Sequence, residues 1–181
     1  MSDERSDEGF AQRWVYGNPE AALTITEFGD LECPYCGAAA PVLRELVDTS
    51  EDQVRLVWRH FPLYTVHPFA LTAALAAEAA GRQGAFWPMV EKLFKHQDRL
   101  DDASIVEYGR FLELDTSTLV GDAAQQYAEA VRADYADGIA LGVHGTPTLF
   151  VEDTPYLGKV TLNDLRDELG LSRRGASRAR S

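Results

Sequence analysis

The feature that most constrains the fold is a change of apolar period across residues 21–61. The segment "AALTITEF" (21–28) mixes β-branched and apolar residues between a Pro turn and a glycine, which is strand patterning. Pro41 to Thr49 then places Val42, Leu43, Leu46 and Val47 on one face and Arg44, Glu45 and Asp48 on the other. That spacing is helical. "QVRLVWRHF" (53–61) reads as a strand again. A strand, helix and strand in succession default to a parallel pair with a right-handed crossover.

Between the first strand and the helix lies "CPYC", which holds Cys33 and Cys36, the chain's two cysteines. A structural bridge fits poorly, because so short a loop removes little entropy from the unfolded chain. Zinc needs four ligands and this pair supplies two. His60, His67, His96 and His144 stand alone without ligand spacing, so no metal site is expected. A redox dithiol fits the position. At the start of a helix the backbone N–H groups lack helical partners and the dipole is positive, so a Cys33 thiolate is favoured there. Pro34 suits the first turn. Cys36 falls on the same face, one turn in. On this reading Cys33 attacks from the exposed end and Cys36 resolves. Pro41 should kink the helix.

Two further residues join this reading. Glu27 shares a strand face with Leu23 and Ile25. In a central strand it becomes a buried carboxyl with a raised pKa, placed to exchange a proton with Cys36. In "GVHGTPT", Pro147 follows Thr146 at the start of an apolar strand. From residue type alone the Thr146–Pro147 bond is expected to be trans.

The rest of the chain sets the organisation. From about His67 to Leu141 the pattern is helical: Pro68–Ala80, Phe86–His96, Ser104–Leu112 with Ile105, Tyr108, Phe111 and Leu112 inward, and Ala123–Leu141 through Tyr127, Val131 and Tyr135. Thr148–Val151 is a short strand, and Tyr156 begins a possible antiparallel partner after a turn. Thr161 can cap a last helix with Leu162, Leu165 and Leu169 inward, ended by Gly170. The chain thus divides into a flexible segment 1–15, an α/β half 16–65, an inserted helical subdomain 66–142, a second half 143–171 and a disordered basic tail 172–181. The net charge of -12 argues against nucleic acid and anionic membranes as partners. No run approaches a membrane span. The first residues lack the features of an export signal, so a cytoplasmic location is expected for the chain as it stands.

"TEFGDLECPYC", a helical block, and then "GVHGTPTLFV" together resemble the DsbA-like thiol–disulfide oxidoreductases of thioredoxin fold. The resemblance runs from about Ala21 to Gly170. It implies an α/β, thioredoxin-like fold with an inserted helical subdomain and no bound cofactor. It also implies Cys33 as nucleophile, Cys36 as buried partner, Glu27 as proton-transfer acid, Pro147 as a cis-proline against the dithiol, and Thr146 as the residue whose backbone pairs with a bound peptide. Pro41 matches the proline that kinks the active-site helix. The partners implied are protein or peptide thiols and disulfides. The dipeptide departs from strongly oxidising relatives: Tyr35 stands after Pro34 where they carry histidine, which removes a cation near Cys33 and points to an intermediate potential. Pro34-Tyr35 is also the glutaredoxin dipeptide, so a glutathione-linked enzyme of glutaredoxin or kappa-transferase type is an alternative. A redox sensor module is another. Similar domains also occur fused to membrane transporters.

Overall fold

The computed structural model describes residues 14–171. The expected basic tail and most of the expected flexible N-terminal segment lie outside them. The strands are β1 (Trp14–Tyr16), β2 (Leu23–Gly29), β3 (Val54–His60), β4 (Thr148–Val151) and β5 (Thr154–Tyr156). The helices are α1 (Pro34–Asp48), α2 (Ala70–Arg82), α3 (Phe86–Lys95), α4 (Asp102–Phe111), α5 (Gly121–Ala124), α6 (Ala128–Ala140) and α7 (Leu162–Glu168). The sheet order is β1-β3-β2-β4-β5. β2 and β3 are parallel, with Glu27 opposite Trp58, and every other neighbouring pair is antiparallel.

β2 is therefore interior, and its alternation sorts side chains between two covered faces. Ile25, with Leu56 and Leu149 from its neighbours, packs under Leu43 and Leu46 of α1 and Leu165 of α7. Phe28 faces the other way, onto Phe61, Val143 and Phe150. Full burial of each large apolar side chain contributes roughly 1.5–3 kcal/mol. A third cluster, built from Ala73, Ala76, Ala77 and Ala80 of α2 with Phe86, Met89, Leu93, Ile105 and Tyr108, forms the helical layer between β3 and β4 in the chain. Alanine on α2 lets its neighbours approach closely: a Cβ at Gly81 would lie 2.2 Å from the Trp14 ring.

Three expectations are corrected. Trp14 and Val15 were placed in a flexible segment, but they belong to β1, which pairs with β3. The Trp14 ring stacks on Phe86 and its Nε1–H donates to Glu78, so the strand is held by tertiary contacts that no local pattern announces. Phe111 was expected inward but is 71% exposed, at the end of α4, with Lys92 Nζ 3.4 Å from its ring centre. The long run 123–141 is not one helix: a 3-10 turn at Gln125–Tyr127 separates α5 from α6. No helix among the described residues is long and apolar enough to cross a membrane.

Buried charges stitch the helical layer to the sheet. Arg59 of β3 pairs with Asp134 of α6 at 2.7 Å and also with Asp137. Asp134 is fully buried and accepts the His60 backbone N–H at 3.0 Å. Loss of Asp134 leaves the buried Arg59 guanidinium with only the half-exposed Asp137. Asp134→Ala is expected to destabilise the fold by about 3–5 kcal/mol. Glu91→Ala, which breaks only the partly exposed pairs with Arg44 and Lys95, should cost about 1 kcal/mol or less. Urea unfolding of the two variants measures the contrast.

Candidate active site

α1 opens on the dithiol. Cys33 is its N-cap residue, in extended conformation, and Pro34 occupies the first turn, where its missing N–H leaves no helical bond unmade. α1 continues through Pro41 to Asp48. Its i, i+3 spacing sets Cys36 beneath Cys33. The two are unbridged thiols in this structure. Cys36 has no exposed surface and Cys33 only 3%, so Cys33 lies less open than its place at the helix end implied. Gln97 helps fix this segment, donating from Nε2 to the carbonyls of Leu31 and Cys33 at 3.0 and 2.9 Å.

The loop before β4 covers the dithiol from the other side. Cys33 Sγ is 3.5 Å from the Thr146 carbonyl oxygen. The Thr146–Pro147 bond is cis, against the residue-type expectation and in line with the family resemblance. The Thr146 hydroxyl is buried, with no hydrogen-bond partner of ordinary geometry among the described residues.

The two sulfurs sit in opposed environments. The Cys36 thiol's hydrogen bond to Cys33 lowers the Cys33 pKa most. Burial opposes this, while Thr146 and the backbone N–H groups of Cys36 and Tyr35 lower it further, to about 5. Burial pushes Cys36 far up, assisted by its bond to Cys33 and the charge of Glu27. Asp30 N–H donates to Cys36 Sγ at 3.4 Å. A thiolate at one sulfur and a thiol at the other follow at neutral pH.

Glu27 lies behind the pair on β2, 2% exposed. Burial, then the charge of Cys33, raises its carboxyl to about 8. Its Oε1 has no hydrogen-bond partner among the described residues. Glu27 also lines a cavity of about 310 Å³ between α1 and α3, walled by Leu56, Trp58, Trp87, Val90 and Phe94, with Arg44, Glu91 and Lys95 also on its lining.

The four histidines separate by environment. His96 stacks on Tyr108, and His144 is exposed. His60, Glu78 and Asp134 bring ligand-type atoms within 4.8 Å of one another. Those atoms are already engaged: Trp58 Nε1–H donates to His60 Nδ1 at 3.1 Å, Trp14 binds Glu78, and Arg59 pairs with Asp134. Trp58 thereby holds His60 Nδ1 as an acceptor, so in the neutral ring the proton sits on Nε2, 3.2 Å from Glu78. The cluster fits a structural network better than a cation site. His67, which looked isolated in sequence, is bound to Asp30 beside the dithiol.

A mixed five-stranded sheet with a dithiol at the head of α1 and a cis-proline across from it is the arrangement of a thioredoxin-type fold. The chain belongs to the thioredoxin family, in its DsbA-like branch: the thioredoxin family profile matches residues 11–169. It is 34% identical to a thioredoxin-like oxidoreductase from Silicibacter pomeroyi, covering 86% of this chain and 89% of that one with a TM-score of 0.72. It is 30% identical to Pseudomonas aeruginosa DsbA2, covering 86% and 92%, with a TM-score of 0.66. It is also 45% identical over 152 residues to the Na(+)/H(+) antiporter NhaA 1 of Salinispora arenicola. That match covers 83% of this chain but only 23% of the antiporter's length.

The buried acid has a testable signature in stability. Its folded pKa is raised, so its contribution is fully present below the unfolded carboxylate value and is lost as pH climbs through about 8. The reduced wild type should therefore weaken relative to Glu27→Gln as pH rises from about 4.5 to 8, by up to roughly 1.4 kcal/mol per pH unit. Urea midpoints of both proteins across that range measure it.

Proposed function

We propose that the chain is a thiol–disulfide oxidoreductase acting on protein or peptide thiols, with Cys33 as nucleophile, Cys36 as resolving thiol and Glu27 as the proton-transfer group. The observation that carries this reading is the split environment of the dithiol: Cys33 lowered to about 5 while burial holds Cys36 protonated. In the reducing direction the Cys33 thiolate attacks a substrate disulfide. One substrate sulfur leaves as a thiolate and takes a proton from water, and a mixed disulfide remains. Cys36 gives its proton to ionised Glu27 and attacks Cys33 Sγ. The second substrate thiol leaves, and the Cys33–Cys36 disulfide holds the two sulfurs oxidised.

The oxidising direction reverses these steps. A substrate thiolate attacks Cys33 Sγ of the disulfide, and Cys36 leaves as a thiolate that needs a proton. Glu27, with a pKa near 8, is mostly protonated at neutral pH and can supply it. A stabilised Cys33 thiolate also favours the dithiol form, which makes the disulfide the stronger oxidant. The thiolate's stability favours net oxidation of substrate thiols, while Glu27 speeds proton transfer in either direction. A Cys33 pKa of about 5 lies between the values of about 7 for thioredoxin and 3.5 for DsbA, which supports an intermediate potential.

Substrate handling follows from the surroundings. The Thr146 main chain offers strand-type pairing to a peptide, a mode tolerant of sequence. Tyr35 is exposed on the CPYC dipeptide. Val66 and Phe69, also exposed, lie on the loop after β3, whose Phe69 N–H bonds Glu32. These apolar groups suit an unfolded polypeptide, and the same thiol chemistry admits glutathione. The inserted helices 66–142 are the part of the chain that would shape this surface around the two α/β halves.

The identity to a segment of an Na(+)/H(+) antiporter favours one second reading. In it the dithiol records redox state for an attached transporter and does not turn over. Cys36→Ser separates the two. Under the enzyme reading this variant should accumulate mixed disulfides through Cys33, identified by mass spectrometry, and lose at least about 99% of multiple-turnover activity on a dithiol peptide. Wild-type protein that forms its disulfide once but never turns over would favour the sensor.

A further inference from the structure

The CPYC dipeptide carries no histidine to balance the Cys33 thiolate. The fold brings one from the loop between β3 and α2. His67 Nδ1 lies 2.7 Å from Asp30 Oδ2, and the His67 side chain keeps 22% exposure while that of Asp30 has none. Asp30 is placed by backbone donors: Glu32 N–H binds Oδ1 at 2.8 Å and Leu63 N–H binds Oδ2 at 2.9 Å. Its own main chain touches both active-site residues. The Asp30 carbonyl accepts from Cys33 N–H at 3.1 Å, and its N–H donates to Cys36 Sγ. Glu32 Oε2 accepts the Phe69 N–H at 2.6 Å, a second tie between the loop carrying His67 and the residues just before the nucleophile.

The carboxylate of Asp30, buried three residues before Cys33, opposes a second negative charge at the sulfur. A neutral imidazole can donate to Asp30 but leaves the net charge in place. An imidazolium cancels it. Burial alone would lower the His67 pKa, but the hydrogen bond and charge of Asp30, followed by the charges of Cys33 and Glu32, raise it. These three acidic groups lie two on the β2–α1 loop and one at the head of α1.

We propose that His67 is the cationic positioning residue of the dithiol, held by Asp30, and that it supplies from the β3–α2 loop the positive charge absent from the CPYC dipeptide. This rests on the reading of Cys33 as the working thiolate. By linkage, whatever ionising Cys33 does to His67, protonating His67 does in return to Cys33. His67 therefore binds its proton more tightly in the dithiol form than in the disulfide form. Reduction takes up an extra fraction of a proton in the pH interval between those two His67 titrations.

Two readouts test this. The first is an NMR titration of the His67 ring in the oxidised and reduced proteins. The midpoint should be higher in the reduced form, and coincident curves would overturn the proposal. The second is the rate of Cys33 alkylation at pH 4.5, below its titration, where rate follows thiolate fraction. His67→Gln keeps a donor for Asp30 but no charge and should slow alkylation about threefold or more, the effect of half a pKa unit. Adding Asp30→Asn should restore the rate, since it removes the charge that His67 balanced; simple damage to the fold would not be repaired this way. An unchanged rate in His67→Gln, or no recovery in the double variant, overturns the proposal. A wild-type Cys33 that titrates near the free value of about 8.5 removes the underlying function instead. A low wild-type titration with an unaltered His67→Gln removes only the role of His67.

Discussion

Everything at the site depends on keeping one sulfur negative and its neighbour neutral a helical turn apart. The N-terminus of α1 provides unpaired backbone N–H groups for the first, and the core beneath it provides desolvation for the second. The Cys36 thiol itself becomes a donor to Cys33, so the neutral member stabilises the charged one. The remaining parts serve this division. Thr146 closes over Cys33, Asp30 braces both residues through its main chain, and Glu27 lies below with its carboxyl raised to about 8.

The same fold carries a second set of buried charges with another task. Arg59, Asp134, His60 and Glu78 join β3 to α6 and α2, and Trp14 ties β1 into the same network. Such pairs return little net energy compared with an apolar core, but losing one partner is expensive. Their effect is to set where the inserted helices sit on the sheet, and so where the β3–α2 loop with His67 and Phe69 meets the dithiol. Trp58 touches both sets, donating to His60 Nδ1 and lining the cavity that Glu27 enters.

Much of the site was legible because its chemistry is local or periodic. Cys33, Pro34 and Cys36 announce themselves by spacing at a strand–helix junction. Glu27 follows from strand alternation once β2 is taken as interior, and the structure buries it between Leu56 and Trp58. For Pro147 residue type alone gives trans, which the structure overturns, and only the wider resemblance pointed to cis. Asp30 and His67 were silent because their meaning is a contact across 37 residues, with no motif at either end. β1 was missed for the same reason: three residues of strand carry no periodicity, and their stability comes from Trp14 packing onto Phe86 and Gly81. Phe111 followed the helical pattern but fell on the last turn of α4, where the partner layer ends.

The departure at Tyr35 initially pointed away from strong oxidants. The hydrogen bonds at Cys33 and the charge on His67 offset part of that loss, so the dithiol should be a moderate oxidant and not a thioredoxin-like reductant. The most direct measurement is the equilibrium of Cys33 and Cys36 with a glutathione redox buffer at pH 7, read by alkylation and intact mass. The expected midpoint lies between about -270 mV, typical of thioredoxin, and about -120 mV, typical of DsbA. A midpoint at or below about -270 mV, or failure of the two cysteines to form an intrachain disulfide at all, would contradict a thiolate-stabilised oxidant.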